Sequence, residues 1–226
     1  MIVPTPATAA LRADKTALRK LISSTLSAAL AATAPQLRAE GAAAAAHARA
    51  LPCYAAARSV AVYVSVEKLG EVDTYPLLRD LFERADAPRV YVPLVTGKEA
   101  ADMRMVRVES FEEILAFPKS KWGIPEPPVA LLETREDASK GDVPLDLVVV
   151  PGAAFDSGCR RCGRGKGYYD CFLEGAAAAA ARAGRAPPAL VGLAYAAQVV
   201  DRVPVDARDY VLDFVAHPGG VFRKGC

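Results

Sequence analysis

One stretch constrains the fold of this chain more than any other: an apolar run followed by a basic, glycine-rich loop and a helix-forming segment. Residues 147–150 are four consecutive apolar residues, three of them β-branched, which is typical of a strand buried on both faces of a parallel sheet. Pro151-Gly152 ends this strand, and the run from Tyr168 to Ala183, closed by Gly184, predicts a helix. The order strand, loop, helix is typical of an α/β fold.

The loop between this strand and this helix is suited to bind phosphate. Glycines alternate in it with cations: Gly158, Gly163, Gly165 and Gly167, with Arg160, Arg161, Arg164 and Lys166. Backbone N–H groups, a helix N-terminus and several cations would meet there, which is how proteins hold phosphate groups. A P-loop does not fit, because Arg164-Gly165 stands where Lys-Ser/Thr is needed, and the glycine spacing differs from a dinucleotide fingerprint. A solvated surface loop is the alternative, but the density of glycines and cations favours a site.

Predicted strands and helices alternate along the rest of the chain. Further strands are expected at Ser59–Val64, Arg89–Val95, Met103–Val108, Ala189–Ala194 and Tyr210–Val215, and further helices after Asp14, at Ala31–Ala50 with an interruption near Pro35, at Thr74–Ala85 and at Phe111–Phe117. This alternation predicts an α/β fold with a mainly parallel sheet, whose ligands bind beyond the carboxyl ends of the strands. Residues 1–13 lack periodicity and contain two prolines, so a loose tail is expected before a domain at residues 14–226.

Composition narrows the possible partners. A formal charge of +2 gives no global basicity, so we expect no nucleic acid partner, and no apolar run is long enough to predict a membrane span. Cys159 and Cys162 form a Cys-x-x-Cys pair, but zinc needs a second pair and a redox pair is expected at a helix start. We therefore interpret Cys162 as a small hydrophobic residue, with zinc and redox roles as alternatives.

The run from Arg161 to Asp170 resembles the signature of the 5-formyltetrahydrofolate cyclo-ligase family, also called 5,10-methenyltetrahydrofolate synthetases. That signature usually has leucine where Cys162 stands. The likeness extends, in family order, to Lys15 with Arg19, to Trp122–Pro127, to Pro151-Gly152 with Phe155-Asp156, and to Val203–Val205 with Asp209 and Asp213. It covers nearly the whole chain from Lys15 onward and implies a three-layer α/β sandwich in a single domain.

The resemblance also implies a reaction: ATP-driven closure of 5-formyltetrahydrofolate to 5,10-methenyltetrahydrofolate, with release of ADP and phosphate. A formamide oxygen is a poor leaving group, so ATP would phosphorylate it before N10 closes the ring. The folate supplies the nucleophile, which agrees with the lack of any Ser-His-Asp or Cys-His set in the sequence. Phosphoryl transfer then needs positioning and neutralised charge, which we expect Arg164 and Lys166 to supply as catalytic residues.

Site residues follow from the resemblance position by position. The ATP-binding set would be Lys15, Arg19, Arg161, Gly163, Arg164, Gly165, Lys166, Gly167, Tyr168 and Tyr169, and the folate-binding set Val64, Glu71, Trp122 and Tyr168. A glutamate such as Glu71 can accept paired hydrogen bonds from a pterin. Asp170 and Asp209 fall on the family's magnesium positions, and carboxylates beside a phosphate site are what Mg²⁺ uses.

Two other classes of protein compete with this interpretation. A non-catalytic nucleotide- or RNA-binding module would use the basic loop and its tyrosines as a stacking platform, and a sugar-phosphate isomerase would share only the fold. We expect a monomer that binds ATP and a folate, with no nucleic acid and no membrane partner. The basic, acid-poor start from Met1 to Leu30 faintly resembles a transit peptide, but use of Lys15 argues against removal of a long presequence. A cytoplasmic location is expected, with a mitochondrial one as the alternative.

Overall fold

A mixed β-sheet lies at the centre of the computed structural model, which describes residues 6–66, 69–120, 123 and 125–225. Its strands are β1 (Ser59–Val62), β2 (Arg89–Val95), β3 (Met103–Val108), β4 (Leu147–Val150), β7 (Ala189–Leu193), β8 (Phe214–His217) and β9 (Gly220–Arg223), while β5 (Ala154–Phe155) and β6 (Arg161–Cys162) form a separate hairpin. In the described part of the chain the large sheet has the order β3-β2-β1-β4-β7-β8-β9. Its four inner pairings are parallel and the outermost pairing at each edge is antiparallel. The mainly parallel sheet is confirmed.

Helices cover both faces of this sheet and give the three layers that were predicted. They are α1 (Pro6–Arg49), α2 (Pro52–Ala56), α3 (Tyr75–Glu83), α4 (Phe111–Ala116), α5 (Leu131–Thr134) and α6 (Tyr168–Arg182). One core includes side chains of α1, α3 and α4, and the other includes the apolar face of α6. Successive residues of β4 enter opposite cores, with Val149 in the first and Val148 in the second, because side chains alternate along a strand. Both faces of β4 are therefore buried, which explains its unbroken apolar sequence.

Helix α1 differs from the sequence prediction at its start and agrees with it in the middle. It begins at Pro6, so residues 6–13 are helical rather than a loose tail. Proline is compatible with a first helical turn, where the missing N–H would have no partner within the helix. Residues 1–5 lie outside the described residues, and the domain boundary at residue 14 stays a prediction. The predicted interruption near Pro35 is confirmed: Thr33 leaves the helical region at φ −142° and ψ 42°.

The predicted strand at Tyr210–Val215 is wrong in its position, since β8 begins only at Phe214. Leu212 is fully buried, but its N–H donates to the Cys159 carbonyl of the β5–β6 hairpin at 2.9 Å rather than to a neighbouring strand of the sheet. Asp213 lies just before β8, and its carboxylate accepts from Leu190 N–H at 2.9 Å. A buried apolar segment therefore need not be a strand. The following strand, β9, was not predicted.

Candidate active site

A cleft of about 1260 Å³ lies beside the glycine-rich loop. Pro151, directly after β4, and Glu71, in the segment after β1, bring the carboxyl ends of two parallel strands to it. The residues predicted to bind ATP or metal all line it: Lys15, Arg19, Arg161, Gly163, Arg164, Gly165, Lys166, Gly167, Tyr168, Tyr169, Asp170 and Asp209. Chain segments that are remote in sequence therefore meet at one concave surface at the end of the sheet, as expected for a ligand site in this class of fold.

Of the three predicted folate contacts that the structure describes, two line this cleft and one does not. Val64 is buried in the core on the α1 side of the sheet and does not line the cleft. Trp122 lies outside the described residues. Glu71 and Tyr168, the other two predicted folate contacts, do line the cleft. The folate roles of all four stay predictions.

The base of the glycine-rich loop is held by a buried carboxylate. Asp156, with no exposed side-chain surface, accepts from the backbone N–H groups of Gly158, Arg160 and Val203 at 3.0, 3.1 and 2.7 Å. Arg160 also donates its Nε–H to Asp156 at 2.7 Å and does not line the cleft. Arg160 therefore stabilises the hairpin, and the cations that reach the cleft from this loop begin at Arg161.

The loop is fixed against the first part of α1. Arg19 Nε donates to the carbonyl of Gly163 at 2.6 Å, and the Arg19 guanidinium packs over Gly165. Gly165 and Gly167 have φ of +92° and +76°, values that favour glycine, and Gly167 directly precedes α6. The chain thereby turns so that the first residues of α6 line the cleft, where helix N–H groups without intrahelical partners favour an anion.

The cations of the cleft differ in how firmly they are engaged. Arg161, with a side chain only 4% exposed, pairs with Asp170 at 2.6 Å, and Lys15 pairs with Asp209 at 2.5 Å. Arg161 also donates to the carbonyl of Pro151 at 3.3 Å, whereas its Nε is buried with no hydrogen-bond partner among the described residues. Lys166 is exposed and makes no ion pair with any described residue. Lys166 can therefore approach a phosphate without first leaving a carboxylate.

The two predicted magnesium ligands fit a site completed by a nucleotide. Asp170 and Asp209 both line the cleft, and each engages a cation through one carboxylate oxygen, Oδ1 in Asp170 and Oδ2 in Asp209. The other oxygen of each has no hydrogen-bond partner among the described residues. No group of three or more His, Cys, Asp or Glu side chains in that part of the chain could hold a metal by itself. Two carboxylates with phosphate oxygens and water are a common Mg²⁺ environment, so this donor set suits the ion.

Glu71 and Arg164, predicted to contact different substrates, contact each other. Arg164 Nε donates to Glu71 Oε1 at 3.1 Å, and Arg164 Nη2 donates to the Leu69 carbonyl. The other carboxylate oxygen of Glu71 accepts from Val66 N–H at 3.0 Å. Burial raises the pKa of Glu71 above its ordinary value, and the nearby Arg164 opposes that rise. The pair joins the glycine-rich loop to the segment after β1.

The two tyrosines at the start of α6 differ in their hydroxyl environments. Tyr168 donates its O–H to the carbonyl of Gly97 at 2.9 Å, in the segment between β2 and β3. The Tyr169 hydroxyl is buried and has no hydrogen-bond partner among the described residues. Burial, and secondarily the charge of Glu71, raises the pKa of Tyr169 well above its ordinary value, so its O–H stays protonated.

A profile of the 5-formyltetrahydrofolate cyclo-ligase family matches residues 11–218. The chain belongs to this family. The mitochondrial 5-formyltetrahydrofolate cyclo-ligase of Arabidopsis thaliana is 36% identical over 177 residues, which are 75% of this chain and 62% of that protein. The Mus musculus 5-formyltetrahydrofolate cyclo-ligase is 32% identical over 165 residues, covering 73% of this chain and 75% of its own length. The family predicted from the signature is confirmed.

Solved structures agree with this cyclo-ligase assignment. An NMR structure of Aquifex aeolicus 5,10-methenyltetrahydrofolate synthetase matches with a TM-score of 0.69 and 29% identity, over 94% of this chain and 93% of that one. A 5,10-methenyltetrahydrofolate synthetase from Mycoplasma pneumoniae matches with a TM-score of 0.59 and 20% identity, over 91% and 99%, which bears on the fold alone. Across the described residues, no helix is both long and apolar enough to cross a bilayer.

Cys162 of this cyclo-ligase family member is a core residue. Its side chain is fully buried on the α1 side of the sheet, and Cys159 is fully buried in the opposite core. Burial raises the pKa of the Cys162 thiol, so it is a weak nucleophile at neutral pH. The interpretation of Cys162 as a small hydrophobic residue, in place of the family's usual leucine, agrees with this packing.

Several cleft residues were missed by sequence reasoning. Arg12 and Thr16 line the cleft beside Lys15 and Arg19 on α1, and Arg208 and Lys224 reach it from the C-terminal part. The helical spacing of positions 12, 15, 16 and 19 was a usable signal, since residues three and four apart share a helix face. Arg208 and Lys224 gave no such signal, because their position at the cleft depends on how the chain around β8 and β9 packs along the sheet.

Proposed function

We propose that this chain catalyses the ATP- and Mg²⁺-dependent conversion of 5-formyltetrahydrofolate to 5,10-methenyltetrahydrofolate, releasing ADP and phosphate. The observation that carries this proposal is the meeting of the signature loop with Glu71 in one cleft. The reaction transfers a phosphoryl group from one substrate to the other, so it needs a phosphate-binding loop directly beside a second, organic binding site.

In the proposed mechanism the phosphates of ATP lie at the N-terminus of α6. Lys166 approaches them without breaking an ion pair, and the N–H groups of the glycine-rich loop supply further donors. Lys15 is held close by Asp209, and Arg19 fixes the loop through the carbonyl of Gly163. These groups are in place before the substrate arrives, so little reorganisation accompanies the transfer of charge.

Asp170 and Asp209 are the residues that would hold Mg²⁺. When bound, the ion would neutralise charge on the phosphates. The Asp170 side chain is oriented by Arg161, and Asp209 is further fixed by the Asp206 N–H at 2.6 Å. Both carboxylates are thus positioned by contacts within the protein.

The chemistry divides into two steps that the folate itself largely performs. The formyl oxygen attacks the γ-phosphorus and the bond to ADP breaks. N10 then attacks the formyl carbon, loses its proton, and the phosphorylated oxygen departs as phosphate, leaving the methenyl bridge. Glu71 would orient the pterin, and Arg164 would leave Glu71 to bind phosphate oxygens. The protein's contribution is alignment and charge stabilisation rather than a nucleophile.

An RNA-binding platform fits the geometry less well. Stacking platforms need exposed aromatic faces, whereas Tyr168 and Tyr169 are both partly buried and Tyr169 packs against both cores. The monomeric state and the cytoplasmic location stay predictions.

The deciding experiment combines the purified protein with 5-formyltetrahydrofolate and MgATP and follows methenyltetrahydrofolate by its absorbance. Product that requires ATP, and that falls strongly in Lys166→Ala, would support the proposal. The matched control is Arg160→Ala, a loop cation that faces Asp156 instead of the cleft, measured as folded protein. No product at high enzyme concentration would overturn the proposed function.

A further inference from the structure

Two tyrosine side chains contact the segment that carries Glu71, and a third lines the same cleft. Tyr63 donates its O–H to the Val72 carbonyl at 3.2 Å, and Tyr195 donates to the Glu71 carbonyl at 3.1 Å. Tyr169, in the first turn of α6, lines the same cleft as Glu71. Two of the three hydroxyls therefore hold the backbone of the segment, and the third does not.

The Tyr169 hydroxyl lowers the stability of the fold, because it is buried with no hydrogen-bond partner among the described residues. A buried donor without an acceptor destabilises a folded protein by about 1–3 kcal/mol. The aromatic ring packs against both hydrophobic cores, and a phenylalanine would retain that packing. Within the described residues nothing accepts from this O–H, so its presence is not explained by the stability of the fold.

The surroundings of the hydroxyl indicate what it contacts. Tyr169 lines the cleft together with Glu71, on the proposed folate side, and with the phosphate-binding loop that precedes α6. Arg161, which lines the same cleft, has a second buried donor with no partner among the described residues, its Nε–H. A ligand atom that accepts hydrogen bonds, such as an oxygen, would satisfy these two donors.

On the basis of the proposed function, we propose that the Tyr169 O–H donates a hydrogen bond to the formyl oxygen of the folate and to the same oxygen after it is phosphorylated. That oxygen is the one atom that belongs first to the folate and finally to phosphate, so it must lie between the two binding sites. Tyr169 lines the cleft in which the two proposed sites meet. Arg161 Nε–H would supply a second donor to the same phosphate group.

The hydrogen bond would matter most in the second step. After N10 has bonded to the formyl carbon and lost its proton, the carbon–oxygen bond breaks and its electron pair leaves with the phosphate oxygen. Negative charge on that oxygen grows toward the transition state, and a positioned donor is then worth more than in the ground state.

The test is Tyr169→Phe, which removes the hydroxyl and keeps the ring. We expect kcat to fall about 10²-fold, as for loss of one preorganised donor, with the KM for ATP nearly unchanged. The melting temperature should stay the same or rise, because an unpaired buried donor has been removed. In a single-turnover quench experiment ADP should form before methenyltetrahydrofolate, since ring closure is the slowed step.

Tyr63→Phe is the matched control, because it removes a buried hydroxyl whose partner is a backbone carbonyl. It should lower the melting temperature while folded enzyme keeps its rate within a few-fold. Wild-type turnover in the same assay tests the proposed function separately. If the wild type is active and Tyr169→Phe is equally fast, or loses rate only as it loses stability, the inference is overturned. ADP and methenyl product appearing together in a slowed variant would also overturn the assignment to ring closure.

Discussion

Replacing Arg164 by alanine should destabilise the protein more than the exposure of its loop suggests. The change leaves Glu71, whose side chain is 9% exposed, without its cation. Breaking a buried pair by removing one partner costs about 3–5 kcal/mol. The Arg164 side chain is 36% exposed, so solvent screening reduces the expected loss to about 2 kcal/mol. For a chain of 226 residues this corresponds to a fall in Tm of about 4–8 °C.

The destabilisation should depend on pH with a defined sign. Burial raises the pKa of Glu71 in the folded state, so the folded protein binds this proton more tightly than the unfolded chain does. The stability associated with Glu71 is therefore present at low pH and is lost as pH rises from the ordinary glutamate value to the raised one. Removing Arg164 raises this pKa further. The Tm difference between variant and wild type should be small at about pH 5 and larger at about pH 8.

Differential scanning calorimetry of Arg164→Ala and Lys166→Ala across this pH range is the assay. Lys166 is exposed and has no ion pair with the described residues, so its variant should melt within about 1–2 °C of wild type. Both variants should lose turnover. A double-mutant cycle with Glu71→Gln should assign the difference to the pair. Equal melting temperatures for the two alanine variants at every pH would refute the reasoning, because Glu71 would then not depend on Arg164.

Three further predictions concern the metal, the cysteines and the loop. Asp170→Asn and Asp209→Asn should each raise the Mg²⁺ concentration needed for half-maximal rate and weaken MgATP binding in titration calorimetry. The loss of Tm should be modest, because the amide oxygen can still accept from the cationic partner. Unchanged Mg²⁺ dependence in both variants would remove them from the proposed site. Serine at Cys159 or Cys162 should lower the free energy of unfolding by about 1–3 kcal/mol, because a hydroxyl is buried, while turnover stays within a few-fold of wild type. Stoichiometric zinc in the purified wild type, measured by metal analysis, would contradict the packing role of these cysteines. Gly165→Ala should lower the free energy of unfolding by about 1–2 kcal/mol in denaturant titration and raise the KM for ATP, because φ is +92° and the new Cβ would lie 3.3 Å from the guanidinium carbon of Arg19. Unchanged stability and KM would contradict a constrained loop.

The local sequence pattern was sufficient to predict most strands of the sheet and the glycine-rich loop. The bounds of β2 and β3 agree with the predicted strands, and α6 begins at Tyr168 as expected. These segments combine a clear apolar period with nearby glycine or proline, so short-range sequence contains the information. The signature from Arg161 to Asp170 is equally local, and it was enough to indicate the family.

The pairing of charges in the cleft was decided only by the tertiary structure. Lys15 meets Asp209 across 194 positions of sequence, and Arg164 meets Glu71 across 93. The same applies to Leu212, which is buried against the β5–β6 hairpin instead of joining the sheet. Periodicity reports whether a residue is buried or exposed, but not which distant segment covers it. That partner depends on how the connections return over the sheet, and the connections are where the local signal is weakest.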